Sequence, residues 1–145
     1  MIPDRYAPAT YALFRIVFGF IFFCFGTQKM FGWFGGTVPA LMSMQGAAGV
    51  IETVTGLLIM IGLFTRLAAF VASGEMAVAY FYIHVSVVAM GEGGAGLPLG
   101  LLVPLTNNGV NAALFCVAFL YMASRGSGIC SVDGVIGGKG RSGSA

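Results

Sequence analysis

The sequence predicts an all-α membrane protein, a bundle of four transmembrane helices with both termini in the cytoplasm. Of its 145 residues, 58% are hydrophobic and only 8% are charged, whereas an ordinary soluble domain carries about 25% charged residues. Its apolar stretches approach the roughly 20 residues that a spanning helix needs. Lys and Arg residues gather on one side of the predicted bundle, which sets its orientation.

The predicted spans are residues 9–31, 47–64, 67–90 and 102–123. Each stretch lacks the strict alternation of a barrel strand, so helices are favoured. The first stretch is too long for a signal peptide and no cleavage site follows it, so we expect it to be retained. Residues 1–124 therefore form the predicted membrane domain, and residues 125–145 a polar tail, rich in Gly and Ser and mostly irregular.

Two of the predicted connections have distinctive compositions. The first carries no charge and includes Trp33, Phe34 and Pro39. Thr37 is a suitable N-cap and proline is tolerated in a first helical turn, so a short interfacial helix is expected there. Glycine and proline crowd residues 91–104, and such backbone cannot face hydrocarbon unsatisfied. That connection is expected to be an external loop or a re-entrant segment packed on protein.

The orientation follows from the basic residues that flank the predicted helices. Short loops that carry Lys and Arg stay on the cytoplasmic side of a membrane. The opposite side has Glu92 and, at the end of the first helix, Lys29. The basic residues that fall on the cytoplasmic side are Arg5, Arg66, Arg125, Lys139 and Arg141.

Composition also bounds the partners and cofactors. The formal net charge is only +2 and its cations are scattered, so a nucleic-acid partner is not expected. Cys24, Cys116 and Cys130 lack ligand spacing and are interpreted as small hydrophobic residues. One histidine cannot provide bis-His haem ligation, and no Cys-rich run offers an iron–sulfur site. We expect no metal and no covalently bound cofactor.

Charged residues inside the predicted spans are the candidates for function, because an ionisable group at mid-membrane is costly and normally finds a partner. Counting about 1.5 Å per residue, Arg15 and Glu75 each lie roughly 9–12 Å from the cytoplasmic ends of their helices. We therefore expect them to form an intramembrane ion pair. Such a pair is more often a structural contact that selects helix neighbours than a catalytic one.

A second cluster is predicted nearer the external surface. Glu52 and His84 lie roughly 5–10 Å below that surface, with Lys29 close to it. One interpretation is a quinone or proton site in which Glu52 and His84 face a quinone carbonyl. The other is a hydrogen-bonded core histidine, or a histidine that faces the external loop. Because Glu52, Glu75 and His84 are counted at different depths, a metal site that uses them is not expected.

At these residues the sequence resembles the DoxX family of small bacterial four-helix membrane proteins, over nearly the whole chain. The family's first helix has an Arg and ends in G-x-Q-K-[LM]-F-G, matched by Arg15 and residues 26–32. Its next two helices resemble residues 49–81, which include Glu52, Arg66 and Glu75. The family's N-G-G-E, R-G-x-G and S-L-D patterns correspond to residues 108–111, 125–128 and 131–133.

Two departures from the family pattern replace ionisable residues. The family's His before G-x-Q-K is Phe25 here, and the acidic residue of N-G-G-E is Asn111, which leaves Asn108 and Asn111 as the polar residues of the fourth helix. These changes weaken the case for proton chemistry.

The resemblance implies a place in membrane redox metabolism, because family members are associated with thiosulfate:quinone oxidoreductases, quinol oxidases and thiol-stress responses. Our first hypothesis is a non-catalytic accessory subunit of a larger redox or energy-converting complex in the bacterial inner membrane. The alternative is a quinone-interacting subunit that uses Glu52 and His84. Quinone or lipid is then the expected ligand, membrane lipid and a larger complex are the expected partners, and association with further copies of the chain stays open.

Overall fold

The computed structural model describes residues 3–86 and 102–139, and every regular element in these ranges is helical. After a 3-10 turn at Asp4–Tyr6, helix α1 spans Ala7–Phe31 and α2 spans Met44–Ile61. Helix α3 spans Thr65–Val78 and continues directly as a π-helix, Ala79–Val85. Helix α4 spans Val110–Arg125, and a short α5 spans Val132–Lys139.

The ends of α1 and α2 follow from local chemistry. A proline lies in the first turn of α1, and Gly32 ends that helix in the left-handed conformation (φ 68°). Ser43 caps α2, because its hydroxyl accepts a hydrogen bond from the Gly46 amide at 3.1 Å. Gly62, also left-handed (φ 75°), ends α2 and turns the chain back into α3.

Among the described residues, three helical segments are long and apolar enough to span a membrane: Asp4–Phe31, Met44–Ile61 and Thr65–Val85. Helix α4 is also apolar but has 16 residues, about 24 Å at 1.5 Å per residue, which is shorter than a typical hydrocarbon core of about 30 Å. The chain is therefore an all-helical, membrane-type protein in the part that the structure describes.

Three sequence-based expectations about the helices were wrong. The fourth helix begins at Val110 rather than at residue 102, because turns occupy 104–108 and Asn108 is left-handed (φ 56°). No interfacial helix follows α1, where the structure has a 3-10 turn at Trp33–Gly35 and irregular chain through Thr37 and Pro39. Helix α2 begins at Met44, ahead of the predicted residue 47. Residues 87–101, which include the end of the third predicted span, Glu92 and most of the glycine-rich connection, lie outside the described residues.

Glycines allow α1 and α2 to pack at close range. A methyl group on Gly19 would lie 2.6 Å from the Met60 amide nitrogen, and one on Gly56 would lie 2.5 Å from the Phe23 nitrogen. Only residues without a side chain permit such backbone contact, the device by which helices associate in lipid. Helix α3 packs on α4 across Ser73, whose hydroxyl donates to the Cys116 carbonyl oxygen at 2.8 Å.

The segment after Ser124 is not the mostly irregular tail that its composition predicts. Its helix α5 packs against the α2–α3 turn, where the Asp133 carboxylate accepts hydrogen bonds from the Phe64 and Thr65 amides at 3.0 and 3.2 Å. Asp133 thus caps the N-terminus of α3 from a distant position in the chain. Residues 140–145, including Arg141, lie outside the described residues.

Candidate functional site

A cavity of about 540 Å³ lies where the C-terminal end of α1, the N-terminal end of α2, the second half of α3 with its π-helix, and the start of α4 meet. It is the place where the polar residues of these helices converge. The charged and amide side chains that line it are Lys29, Gln45, Glu52, Glu75, His84, Asn108 and Asn111.

An ion pair joins α1 to α2 at the cavity wall. Lys29 Nζ lies 2.5 Å from Glu52 Oε1, and Glu52 is almost fully buried, with 2% of its side chain exposed. Lys29 is partly exposed, so its ammonium reaches in from the edge of the bundle. The second carboxylate oxygen, Glu52 Oε2, is buried and has no hydrogen-bond partner. One oxygen of this carboxylate is therefore paired with Lys29, and the other is left without a donor.

Glu75 brings a second carboxyl group to the same cavity from α3. Its Oε2 atom is also buried without a hydrogen-bond partner. The charged side chains that line the cavity with it are Glu52 and Lys29. Two carboxyl groups therefore share one nearby ammonium, and both offer unused acceptor atoms.

His84 lies on the π-helix. Its Nδ1 is 3.1 Å from the Asn107 carbonyl oxygen, and because a carbonyl only accepts, Nδ1 carries the hydrogen in this contact. The π-helix is a rare element that is frequently found at functional sites. It lines the cavity through Ala79, Ile83 and His84, so the unusual backbone and the polar cluster coincide.

Apolar residues complete the lining, among them Phe25, Ile51, Val71 and Phe115. Gly74 belongs to the same wall, and a side chain added there would meet no atom within 4 Å. A pocket of mostly apolar walls with a few convergent polar groups is the usual form of a small-molecule site.

The predicted ion pair of Arg15 with Glu75 is wrong. The fully buried Arg15 guanidinium donates from Nη1 to the carbonyl oxygens of Ile59 (2.5 Å) and Met60 (2.8 Å), and from Nη2 to that of Cys130 (2.7 Å). The last carbonyls of a helix lack partners within that helix, so the end of α2 supplies strong acceptors close to Arg15. Glu75 instead faces the cavity with Glu52 and His84.

The depth count also misplaced Glu75 relative to Glu52 and His84, because all three line one cavity. Within the described part of the chain, no group of three or more His, Cys, Asp and Glu side chains is arranged to hold a metal ion. Arg66, which the sequence also singled out, does not line the cavity. Its Nη1 donates to the Ser124 carbonyl oxygen at 3.1 Å. That contact ties the start of α3 to the end of α4.

Several features at the cavity were not predicted from the sequence. Asn107 orients His84 through its carbonyl, and its side chain accepts from the Gly109 amide at 2.8 Å. Its Asn-Asn-Gly context is a turn signal from which the break before α4 could have been predicted. Gln45 and Gly74 carried no distinguishing pattern, and nothing in the sequence from 79 to 85 indicates a π-helix.

Comparison with known proteins identifies a matching family and a similar bacterial protein. Residues 10–85 match the sequence model of the DoxX family. A protein of Haemophilus influenzae, described only as an uncharacterized protein, is 39% identical over 134 residues, which cover 90% of this chain and 92% of the relative. No solved structure matches the chain.

Proposed function

The chain belongs to the DoxX family, and from this premise we propose that it binds the head group of a quinone in the cavity between its helices. The observation that carries this proposal is the convergence of Lys29, Glu52, Glu75 and His84, which come from α1, α2, α3 and the π-helix, on one cavity. If these four residues formed only separate structural contacts, they would not need to line one cavity.

The chemistry of the lining suits this ligand class. A quinone has a flat apolar ring with oxygen atoms at its edge, and the cavity pairs aromatic and aliphatic walls with polar groups. Its volume of about 540 Å³ falls within the range of roughly 300–1,000 Å³ that is usual for small-molecule pockets. Lys29, Asn108 and Asn111 offer donors to carbonyl oxygens, and the carboxyl groups offer acceptors to hydroxyls. With His84 Nδ1 on the Asn107 carbonyl, Nε2 is the ring nitrogen that can face a ligand.

The proposal includes the location of the site. We place the chain in the bacterial inner membrane with α4 as a fourth span and both termini in the cytoplasm, on the basis of the apolar helices and the basic residues Arg5, Arg66 and Arg125. The cavity then opens near the external face, at the level where quinone head groups and lipid head groups are both accessible. Lipid is accordingly the competing ligand.

A non-catalytic accessory role in a larger redox complex is the second candidate. The observation that favours it is the lining itself, in which Phe25 and Asn111 occupy cavity positions where the resembling family pattern has ionisable residues. An accessory subunit would copurify with large partners and carry no quinone of its own. Copurifying partners are compatible with quinone binding by this chain. The absence of bound quinone is not.

A pair of glycine variants tests quinone binding without touching the charged residues. Gly74 lines the cavity and Gly137 lies on α5, and at both positions an added side chain meets open space. We expect Gly74→Leu to fill the cavity and lose at least about 90% of the quinone that copurifies from native membranes, a change of about tenfold in affinity. Gly137→Leu is expected to retain it.

The measurement is extraction of the detergent-purified protein followed by mass spectrometry of quinones, lipids and copurifying proteins. Both variants replace a helical glycine, so neither is expected to lower helix stability. Quinone-free wild-type protein that comes with stoichiometric redox subunits would replace the proposal by the accessory role. Bound phospholipid that disappears in Gly74→Leu, with no quinone in wild type, would identify the cavity as a lipid site.

A further inference from the structure

Two carboxylate oxygens in the cavity wall lack hydrogen-bond partners. Glu52 Oε2 and Glu75 Oε2 are each inaccessible to solvent and accept no hydrogen bond. Glu52 is 2% exposed as a whole residue. Buried polar atoms in native proteins are nearly always paired, and an unpaired one calls for an explanation such as an absent ligand. The two residues come from neighbouring helices and line the same cavity.

The chemistry of these atoms restricts what can satisfy them. An ionised carboxylate has acceptors only, and the partner of Glu52, Lys29, is already directed at the other oxygen, Oε1. While both groups are ionised, a ligand that meets both orphaned atoms must therefore supply hydrogen-bond donors. The two redox forms of a quinone differ in this property, because the oxidised ring has carbonyl oxygens that only accept and the reduced ring has hydroxyls that donate.

We infer that the cavity binds the reduced, hydroxyl-bearing form of its ligand more tightly than the oxidised form, with Glu52 and Glu75, both as carboxylates, each accepting a hydrogen bond from one ligand hydroxyl. This inference rests on the proposed function and adds to it the preferred redox state and the residues that select it. Facing an oxidised ring, the same two oxygens oppose carbonyl oxygens and stay unpaired, and an unpaired buried polar group is costly.

The test is equilibrium binding of a short-chain p-benzoquinol and of its p-benzoquinone to the full chain in nanodiscs, under anaerobic conditions. We expect the quinol to bind about tenfold more tightly or better, as a hydrogen bond to a charged group implies. Glu52→Gln and Glu75→Gln exchange an acceptor for a group that also donates, so each is expected to reduce this ratio at least about threefold. Asp4→Asn makes the same chemical change at an exposed site outside the cavity and is expected to preserve the ratio.

The outcomes separate the two levels of the hypothesis. Equal binding of both forms, or tighter binding of the oxidised form, overturns the inference and leaves the proposed function standing. Binding of neither form overturns both. A preference as large in Glu75→Gln as in wild type also overturns it, because the orphaned acceptors would then not be its source. This variant breaks no ion pair among the described residues and is expected to fold.

Discussion

The two ends of the helix bundle handle buried charge in opposite ways. At one end, the Arg15 guanidinium is enclosed by carbonyl oxygens of α2 and of the segment after α4, and Asp133 accepts hydrogen bonds from the first amides of α3. At the other end, Glu52 and Glu75 keep unpartnered oxygens beside an open volume. The charged groups at the first end are bound to backbone atoms of other segments. The carboxyl groups at the second end keep oxygen atoms that a ligand can bind.

The difference shows that a buried charge indicates function only when its partners are known. Arg15 is the more deeply buried residue, yet both of its terminal nitrogens donate to backbone carbonyl oxygens and only its Nε lacks a partner. Glu75 is less buried but lies against space that a ligand can fill. Replacing residues at the Arg15 end should therefore change stability, and replacing residues at the cavity end should change binding.

The largest expected effect is that of Arg15→Met. The substitution fits the volume but leaves the carbonyls of Ile59 and Cys130 buried without their donor. We expect the free energy of unfolding in detergent to fall by about 3–5 kcal/mol, measured by denaturant titration followed by circular dichroism. Arg15→Lys keeps the charge but not the planar fork and is expected to recover only part of the loss. A loss below about 1 kcal/mol for Arg15→Met would contradict this assignment.

A smaller effect is expected for Asp133→Ala, which removes the cap of α3. The Phe64 and Thr65 amides lose their acceptor, so unfolding should become easier by about 0.5–2 kcal/mol. Quinone content should not change, since Asp133 lies away from the cavity. Asp4→Ala, at an exposed position, serves as the control. Equal stability of the two variants would show that Asp133 does not cap the helix.

The smallest effect on stability is expected for Glu75→Gln. Glu75 forms no ion pair in the described part of the chain and its Oε2 has no partner, so the amide should leave the free energy of unfolding within about 0.5 kcal/mol of wild type. The same denaturant titration measures it. Destabilisation comparable to that of Arg15→Met would mean that Glu75 is a structural residue, and the contrast between the two ends would fail.

Much of the fold was accessible from the sequence because hydrophobic length and helix-end signals are local. The bounds of α1 were close to the prediction, and Gly32 is the expected glycine after a helix. The start of α4 was missed because hydropathy continues through Leu102 and Val103, while the turn at Asn107 and Asn108 depends on backbone conformation. Hydropathy measures transfer into lipid and says little about where a helix begins.

The candidate site was only partly predictable, because partners depend on three-dimensional contacts. Depth along the helices grouped Lys29, Glu52 and His84, and these residues line one cavity in the structure. The same count paired Arg15 with Glu75, since it considers charges and ignores backbone carbonyls as acceptors. The cap by Asp133 joins residues far apart in sequence, and no local pattern encodes it.

Photoaffinity labelling tests the central claim most directly. Membranes that contain the tagged full chain are irradiated with a photoreactive quinone analogue, and labelled peptides are mapped by mass spectrometry. We predict labels on residues that line the cavity, in 71–84 of α3 with its π-helix and in 108–115 at the start of α4, with loss of labelling when unmodified quinol is added in excess. Labels confined to the lipid-facing apolar surface or to the Arg15 end, unaffected by that competitor, would contradict the account.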